Sequence, residues 1–123
     1  MNKKILFFLI GAIILAGGIF IISKKSCGKT DTNGIILFYG TGCPHCANVD
    51  KYIEENKMKD KVQFTEEEVF FNKCNAKLLE QLAVRCGLPI NEMGVPFLWD
   101  GVSSACVSGD QDIINYFKAK IEG

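Results

Sequence analysis

The chain has little histidine, and it has no acid where it begins. His45 is the only histidine in 123 residues, and no Asp or Glu precedes Asp31. There is one C-x-x-C and no second. Tetrahedral zinc needs four ligands, so a site built on that motif alone is incomplete. No internal repeat or low-complexity tract is present outside one apolar run. A charged content of 23% with 48% hydrophobic residues excludes a disordered or collagen-like chain. The formal net charge is zero, yet the charge is unevenly placed. Residues 1–29 hold five lysines (Lys3, Lys4, Lys24, Lys25, Lys29) and no acid. The remainder carries nine basic against fourteen acidic residues, a net of −5. So acidic a body argues against non-specific nucleic-acid binding. The length leaves room for one small domain.

What is present begins with Ile5–Ile22, ILFFLIGAIILAGGIFII, in which every residue is apolar or Gly. A helix over these residues would be about 27 Å long, close to the hydrocarbon thickness of a bilayer. A soluble helix would need a wet face, and this run has none. A cleaved signal peptide is the competing reading. The run is longer than the usual ~7–15-residue apolar region, and no A-x-A-like site follows. A lipoprotein signal also fails, because Lys24, Lys25 and Ser26 precede Cys27 where small apolar residues are required. The expectation is therefore an uncleaved transmembrane anchor at 5–22. Residues 1–4 would be a cytoplasmic N-terminus, 23–33 a polar tether and 34–123 the folded domain. Lysines flank the run almost equally, so charge alone leaves the orientation open.

From Gly34 onward the pattern predicts β-α-β-α-β-β-α. Ile35–Tyr39 is an apolar run of strand length, suited to burial on both faces. Cys43-Pro44 opens a helix with proline at its first position, and Val49, Ile53 and Met58 supply the apolar side. Val62–Phe70 alternates and then carries Glu66-Glu67-Glu68, which places that strand at a sheet edge. Asn72–Cys86 is a second helix, with Leu78, Leu79, Leu82 and Cys86 on one side and Gly87 just beyond its end. Pro96–Trp99 is a third strand, Asp100-Gly101 a turn, and Val102–Val107 a returning fourth strand. Asp110 is placed to cap a last helix buried through Ile113, Ile114, Phe117 and Ile121. The fold class is α/β: a four-stranded mixed sheet with helices on both faces.

Cys43-Pro44-His45-Cys46 lies at the junction of a buried strand and a helix, where a C-x-x-C reads as a redox pair. At the N-cap, the Cys43 sulfur meets the free N–H groups of the first turn and the positive end of the helix dipole. Both favour thiolate, the nucleophilic form. His45 adds positive charge or a donor. Cys46, one turn deeper and less exposed, is suited to resolve a mixed disulfide on Cys43. The alternatives are a zinc or copper half-site and a purely structural disulfide. The haem attachment pattern fails because Ala47 follows Cys46.

Ile35–Cys46, IILFYGTGCPHC, followed some fifty residues later by Gly94-Val95-Pro96, resembles the thioredoxin superfamily over essentially all of 34–123. The resemblance implies a minimal thioredoxin-like fold and a cis Val95–Pro96 bond opposite the catalytic Cys43. It also implies that Val95 and Pro96, with Tyr39, Thr41 and Gly42, contact substrate. Two branches compete. The Cys-Pro-His-Cys tetrapeptide is like that of the DsbA-type periplasmic oxidases, whose potential is about −120 mV against about −270 mV for thioredoxin. The frame is more similar to glutaredoxin, with no inserted helical domain and Leu37 where thioredoxins carry a buried acid. Gly109-Asp110-Gln111-Asp112 loosely resembles the glutaredoxin glutathione-binding turn, making Gly109 and Asp110 candidate glutathione contacts. Helix capping is the simpler role for Asp110 and Asp112.

Four cysteines remain. Cys74 and Cys86 would lie about 18 Å apart on one helix, too far for the roughly 7 Å that a disulfide allows. Cys86–Cys106 and Cys74–Cys106 stay open, beside the simpler reading that all three are small buried hydrophobes. Cys27, on the tether, is exposed and unpaired in this reading, and free for an intermolecular bond.

The expectation is a membrane-anchored thiol–disulfide oxidoreductase with an extracytoplasmic domain. It would exchange disulfides with protein substrates through Cys43 and Cys46 and be recycled by a membrane or soluble redox partner. It needs no metal and no nucleic acid, and no cofactor beyond its own cysteine pair. The alternatives are a glutathione-coupled reductase and a tethered metal carrier.

Overall fold

The structure, a computed structural model, describes Lys3, Lys4 and residues 26–123. The expected anchor at 5–22 and the first three tether residues lie outside the described residues. Among the described residues no helix is long and apolar enough to cross a membrane.

The elements are β1 (Ile35–Tyr39), α1 (Pro44–Glu55), one-turn α2 (Met58–Lys61), β2 (Phe64–Glu68), α3 (Lys73–Arg85), a 3-10 turn (Ile90–Glu92), β3 (Phe97–Asp100), β4 (Ala105–Ser108) and α4 (Asp110–Glu122). The strands form one sheet in the order β2-β1-β3-β4. β1 and β2 run parallel, and the other two pairings are antiparallel. This mixed sheet with four helices is compatible with the thioredoxin-like fold expected.

The wholly apolar β1 takes the centre because both its faces are covered. Ile36 and Phe38 face α3, packing with Leu79, Leu82, Ala83, Phe97 and Trp99. Leu37 points the other way, into a cluster with Val49 and Ile53 of α1, Leu98, and Ile113 and Phe117 of α4. The period-2 alternation of one strand thus feeds two cores. Burying a side chain such as Leu37 or Phe38 stabilises the fold by about 1.5–3 kcal/mol. The Glu66–Glu68 run lies on edge strand β2, as its charge requires.

Asn72 caps α3 by accepting from the Cys74 and Asn75 N–H groups. Gly87 follows its end with φ +75°.

Several expectations change. Met58 does not extend α1. The chain turns at Lys57, with φ +49°, and Met58 opens α2, fully buried. β4 starts at Ala105 rather than Val102, because the Asp100 carboxylate accepts the Val102 and Ser103 N–H groups and holds those residues in the turn. Gly109, not Asp110, is the N-cap of α4, and it makes no side-chain cap bond.

The cysteines depart furthest from expectation. Cys27 is bonded to Cys74 (Cα–Cα 5.4 Å), and Cys86 to Cys106 (6.2 Å). Cys27 is therefore paired within the chain, and Cys74, Cys86 and Cys106 are not free hydrophobes. Nor are residues 27–34 a free tether. Besides the disulfide, the Thr32 carbonyl accepts from Trp99 Nε1 at 2.8 Å, and the Gly34 carbonyl from the Gly101 N–H at 2.9 Å.

Candidate active site

β1 ends at Tyr39, and Gly40-Thr41-Gly42 turns the chain into α1. Gly42 has φ +81°, a conformation that glycine adopts at low cost. Gly40 serves closeness instead: a Cβ there would overlap the Phe70 ring. The turn is clamped from β2. The Glu68 carboxylate accepts the Thr41 N–H (3.2 Å) and the Phe70 and Phe71 N–H groups (2.9 Å each). Burial would raise its pKa, but these backbone donors outweigh that effect and hold the carboxyl below its ordinary range. Glu68 thus joins the loop before Cys43 to the loop before α3. In the sequence it is one of three consecutive glutamates, with nothing to single it out.

Cys43 is the N-cap of α1, with extended φ/ψ, and Pro44 follows at the first helical position. The Cys46 N–H donates to the Cys43 sulfur at 3.2 Å. This is the arrangement expected from Cys-Pro-x-Cys at a helix start: proline needs no acceptor, and the sulfur takes one of the free donors. The Cys43 thiol also donates to the Val95 carbonyl at 3.7 Å. Val95–Pro96 is a cis peptide bond. The loop before β3 and the loop after β1 therefore meet at one sulfur.

Cys43 is half-buried, whereas Cys46 is 2% exposed. Burial pushes the Cys46 thiol up to about 12, and the adjoining Cys43 sulfur adds to the shift. Cys43 and Cys46 are the free cysteines among the described residues. One is accessible at a helix start, and the other sits protonated behind it.

His45 lies on the exposed side of α1 and its Nδ1 is 3.1 Å from Asp110 Oδ2. Asn48 Nδ2 donates to the same oxygen at 2.6 Å. Asn48 and His45 together hold the Asp110 carboxyl below the usual carboxylate range. Asp110 therefore ties α4 to the motif helix through Oδ2, while its Oδ1 accepts the Gln111 N–H in the first turn of its own helix at 3.0 Å. Asn48, three residues after His45, carried no signal of its own; helical spacing puts both side chains on one face.

Beside Cys43 lies a cleft of about 230 Å³ lined by Val69, Phe70, Leu79, Ile90, Met93 and Val95, among others. Val95 is both a wall of this cleft and the partner of the Cys43 thiol. Thr41 and Gly42 are exposed at the site and Tyr39 is half-buried beneath it. The Gly109 N–H donates to the Pro96 carbonyl at 3.1 Å, and Asp110, the next residue, stands against His45. Among the described residues, no group of three or more His, Cys, Asp or Glu is arranged to hold a metal ion. Comparison with protein-family models finds no match to this chain, and comparison with curated proteins finds none either.

Proposed function

We propose that this protein is a membrane-tethered, thioredoxin-like thiol–disulfide oxidoreductase acting on protein disulfides outside the cytoplasm. The observation that carries the reading is the asymmetry of the pair: Cys43 at the helix start, touching the Val95 carbonyl, with Cys46 buried behind it.

In the reducing direction the Cys43 thiolate attacks one sulfur of a substrate disulfide. That S–S bond breaks, one substrate sulfur leaves as thiolate and takes up a proton, and a mixed disulfide joins Cys43 to the other. Cys46 then gives up its proton and attacks the Cys43 sulfur. The Cys43–Cys46 bond forms and the second substrate thiol is released. Two electrons pass to the substrate, and the reverse sequence oxidises a dithiol. The high pKa of Cys46 keeps it from competing for the first attack. Val95 supports substrate docking, because its carbonyl stands beside the reacting sulfur. His45, held by Asp110, supplies a polar group on the other side.

The two further disulfides support an oxidising compartment, since such bonds are rare in the cytosol. With the apolar run at 5–22, this favours an extracytoplasmic domain on a single-pass anchor. A glutathione-coupled reductase would use the Asp110 carboxylate, which His45 and Asn48 already engage.

The test is exchange with a fluorogenic peptide disulfide by the full chain in detergent. Cys43→Ser should abolish turnover, and Cys46→Ser should stall at a mixed disulfide trapped on Cys43. Turnover undiminished in Cys43→Ser would refute the proposal. Equilibration against glutathione then gives the potential, and a value near that of thioredoxin would identify a reductase rather than an oxidase.

A further inference from the structure

The bond between Cys27 and Cys74 determines which end of the domain receives the chain from the membrane. Without it, the chain would first be held at Thr32, whose carbonyl accepts from Trp99 Nε1, just before β1 begins at Ile35. That is the end of the sheet opposite the active site, since Cys43 follows the far end of β1. With the bond, the chain is first fixed at Cys74, in the opening turn of α3. α3 begins just after β2, and β2 is parallel to β1. The Tyr39 carbonyl accepts the Val69 N–H at 2.9 Å, and Glu68 binds Thr41, Phe70 and Phe71. Cys74 therefore stands at the active-site end.

Chain length makes this restrictive. From Ile22, the last residue of the apolar run, to Cys27 is five steps, at most about 18 Å even when fully extended. From Ile22 to Thr32, the next fixed residue, is ten steps, or up to about 36 Å. The bond shortens the reach and reverses the end it acts on.

The same end carries the exposed aromatic surface. Phe71 is 82% exposed and Phe70 58%, and both immediately precede the helix that holds Cys74. Among the described residues the other large exposed apolar side chains are aliphatic. Lys29 and Lys73 are exposed nearby in sequence to the two bonded cysteines, and Lys24 and Lys25 lie in the short connection. Cationic side chains beside exposed phenylalanine suit an anionic lipid surface.

We infer that the Cys27–Cys74 disulfide turns the active-site end of the domain towards the bilayer, where Phe70 and Phe71 meet the lipid. The inference rests on the anchor reading of residues 5–22. It deepens the proposed function, because Cys43 then works on thiols and disulfides presented close to the membrane surface.

The test uses the full chain in vesicles of phosphatidylcholine and phosphatidylglycerol, with brominated lipid as a fluorescence quencher. In Phe71→Trp the new indole should shift to the blue and lose emission to the brominated lipid. Trp99 of the unaltered chain, in the sheet interior, should not. The Cys27→Ser/Cys74→Ser double variant should still float with vesicles but lose the quenching. Should that variant fold poorly, a twelve-residue Gly-Ser insertion between Ser26 and Cys27 keeps the bond and lengthens the connection to about 61 Å. Quenching should be lost there too.

A chain that fails to float overturns the anchor reading, and this inference with it. Flotation without quenching of Phe71→Trp leaves the anchor standing, assigns the phenylalanines to a protein partner, and overturns the lipid contact. Quenching that survives both the double variant and the insertion overturns the role of the disulfide.

Discussion

The buried thiol of Cys46 makes a quantitative expectation for alkylation. Its pKa stands at about 12 against an ordinary 9.0, because burial disfavours the thiolate and the Cys43 sulfur adds to it. Three pH units are about a thousandfold in thiolate fraction. At pH 8 an ordinary thiol is about one-tenth ionised, and Cys46 about one part in ten thousand. The reduced chain treated with iodoacetamide should therefore modify first at Cys43 alone. The decisive measurement is the pH profile of Cys46 in Cys43→Ser, followed by mass spectrometry. That substitution removes the Cys43 thiolate charge and leaves the burial. The Cys46 rate should still climb about tenfold per pH unit past pH 9, with an apparent pKa below that of the native pair but above the ordinary value. Unfolding in guanidinium supplies the reference, since denaturation exposes the thiol. A plateau near pH 9 in the folded variant would refute the reasoning, because steric shielding slows alkylation without moving its pKa. The same profile bears on mechanism. A resolving thiol so rarely ionised requires deprotonation late, after Cys43 has become part of a mixed disulfide and lost its charge.

Other measurements probe the frame around the site. Burial alone would raise the pKa of Asp100, but bonds from Tyr116 (2.8 Å), Lys120 (3.1 Å) and the Ser103 N–H hold it down at about 2. A depressed carboxyl stabilises the fold fully above its unfolded pKa of about 3.8, and this contribution is lost as pH falls towards 2. Asp100→Asn should thus cost about 2 kcal/mol at pH 7, and chemical denaturation should show the gap to the native chain closing in acid. A gap constant from pH 7 to pH 2 would count against it. Removing the 20-residue link in Cys86→Ala/Cys106→Ala should destabilise by about 3 kcal/mol, seen as a lower denaturant midpoint. In Glu68→Ala the amides of Thr41, Phe70 and Phe71 should exchange faster with deuterium while those of β3 stay protected. Uniform loss of protection would show that Glu68 supports the whole sheet rather than joining two loops.

Much of this was legible because the relevant signals are local. The apolar run of β1, the glutamates of β2, Asn72 before α3 and the Cys-Pro junction each state their role within a few residues. Cys43 and Cys46 could be assigned individually, since a helix start treats its first residue and its fourth differently. The long-range placements were not legible. Nothing near Cys27 shows that its segment folds back along the body, because the Trp99–Thr32 and Gly101–Gly34 bonds that guide it join residues 67 apart. In the sequence Asp110 offers only local roles, a helix cap or a glutathione-binding turn, because only its neighbours bear on it. Its true partners, His45 and Asn48, reach it only once α1 and α4 pack on the same face of the sheet. The start of β4 is hidden for a similar reason: the buried Asp100 carboxylate holds Val102 and Ser103 in the turn, and hydropathy does not register it.

The edge strand has a consequence for how copies of this chain behave together. β2 pairs with β1 on one side only, and its outer side would accept a strand from another molecule. Glu66, Glu67 and Glu68 occupy three of its five positions. Two copies approaching through this edge would bring like charges together across the new pairing, which is unfavourable. Molecules confined to one plane collide far more often than the same number free in volume. If the chain is held in a membrane as proposed, the acid run would act as a spacer, keeping neighbours from joining into ribbons and leaving each pair of thiols separately available.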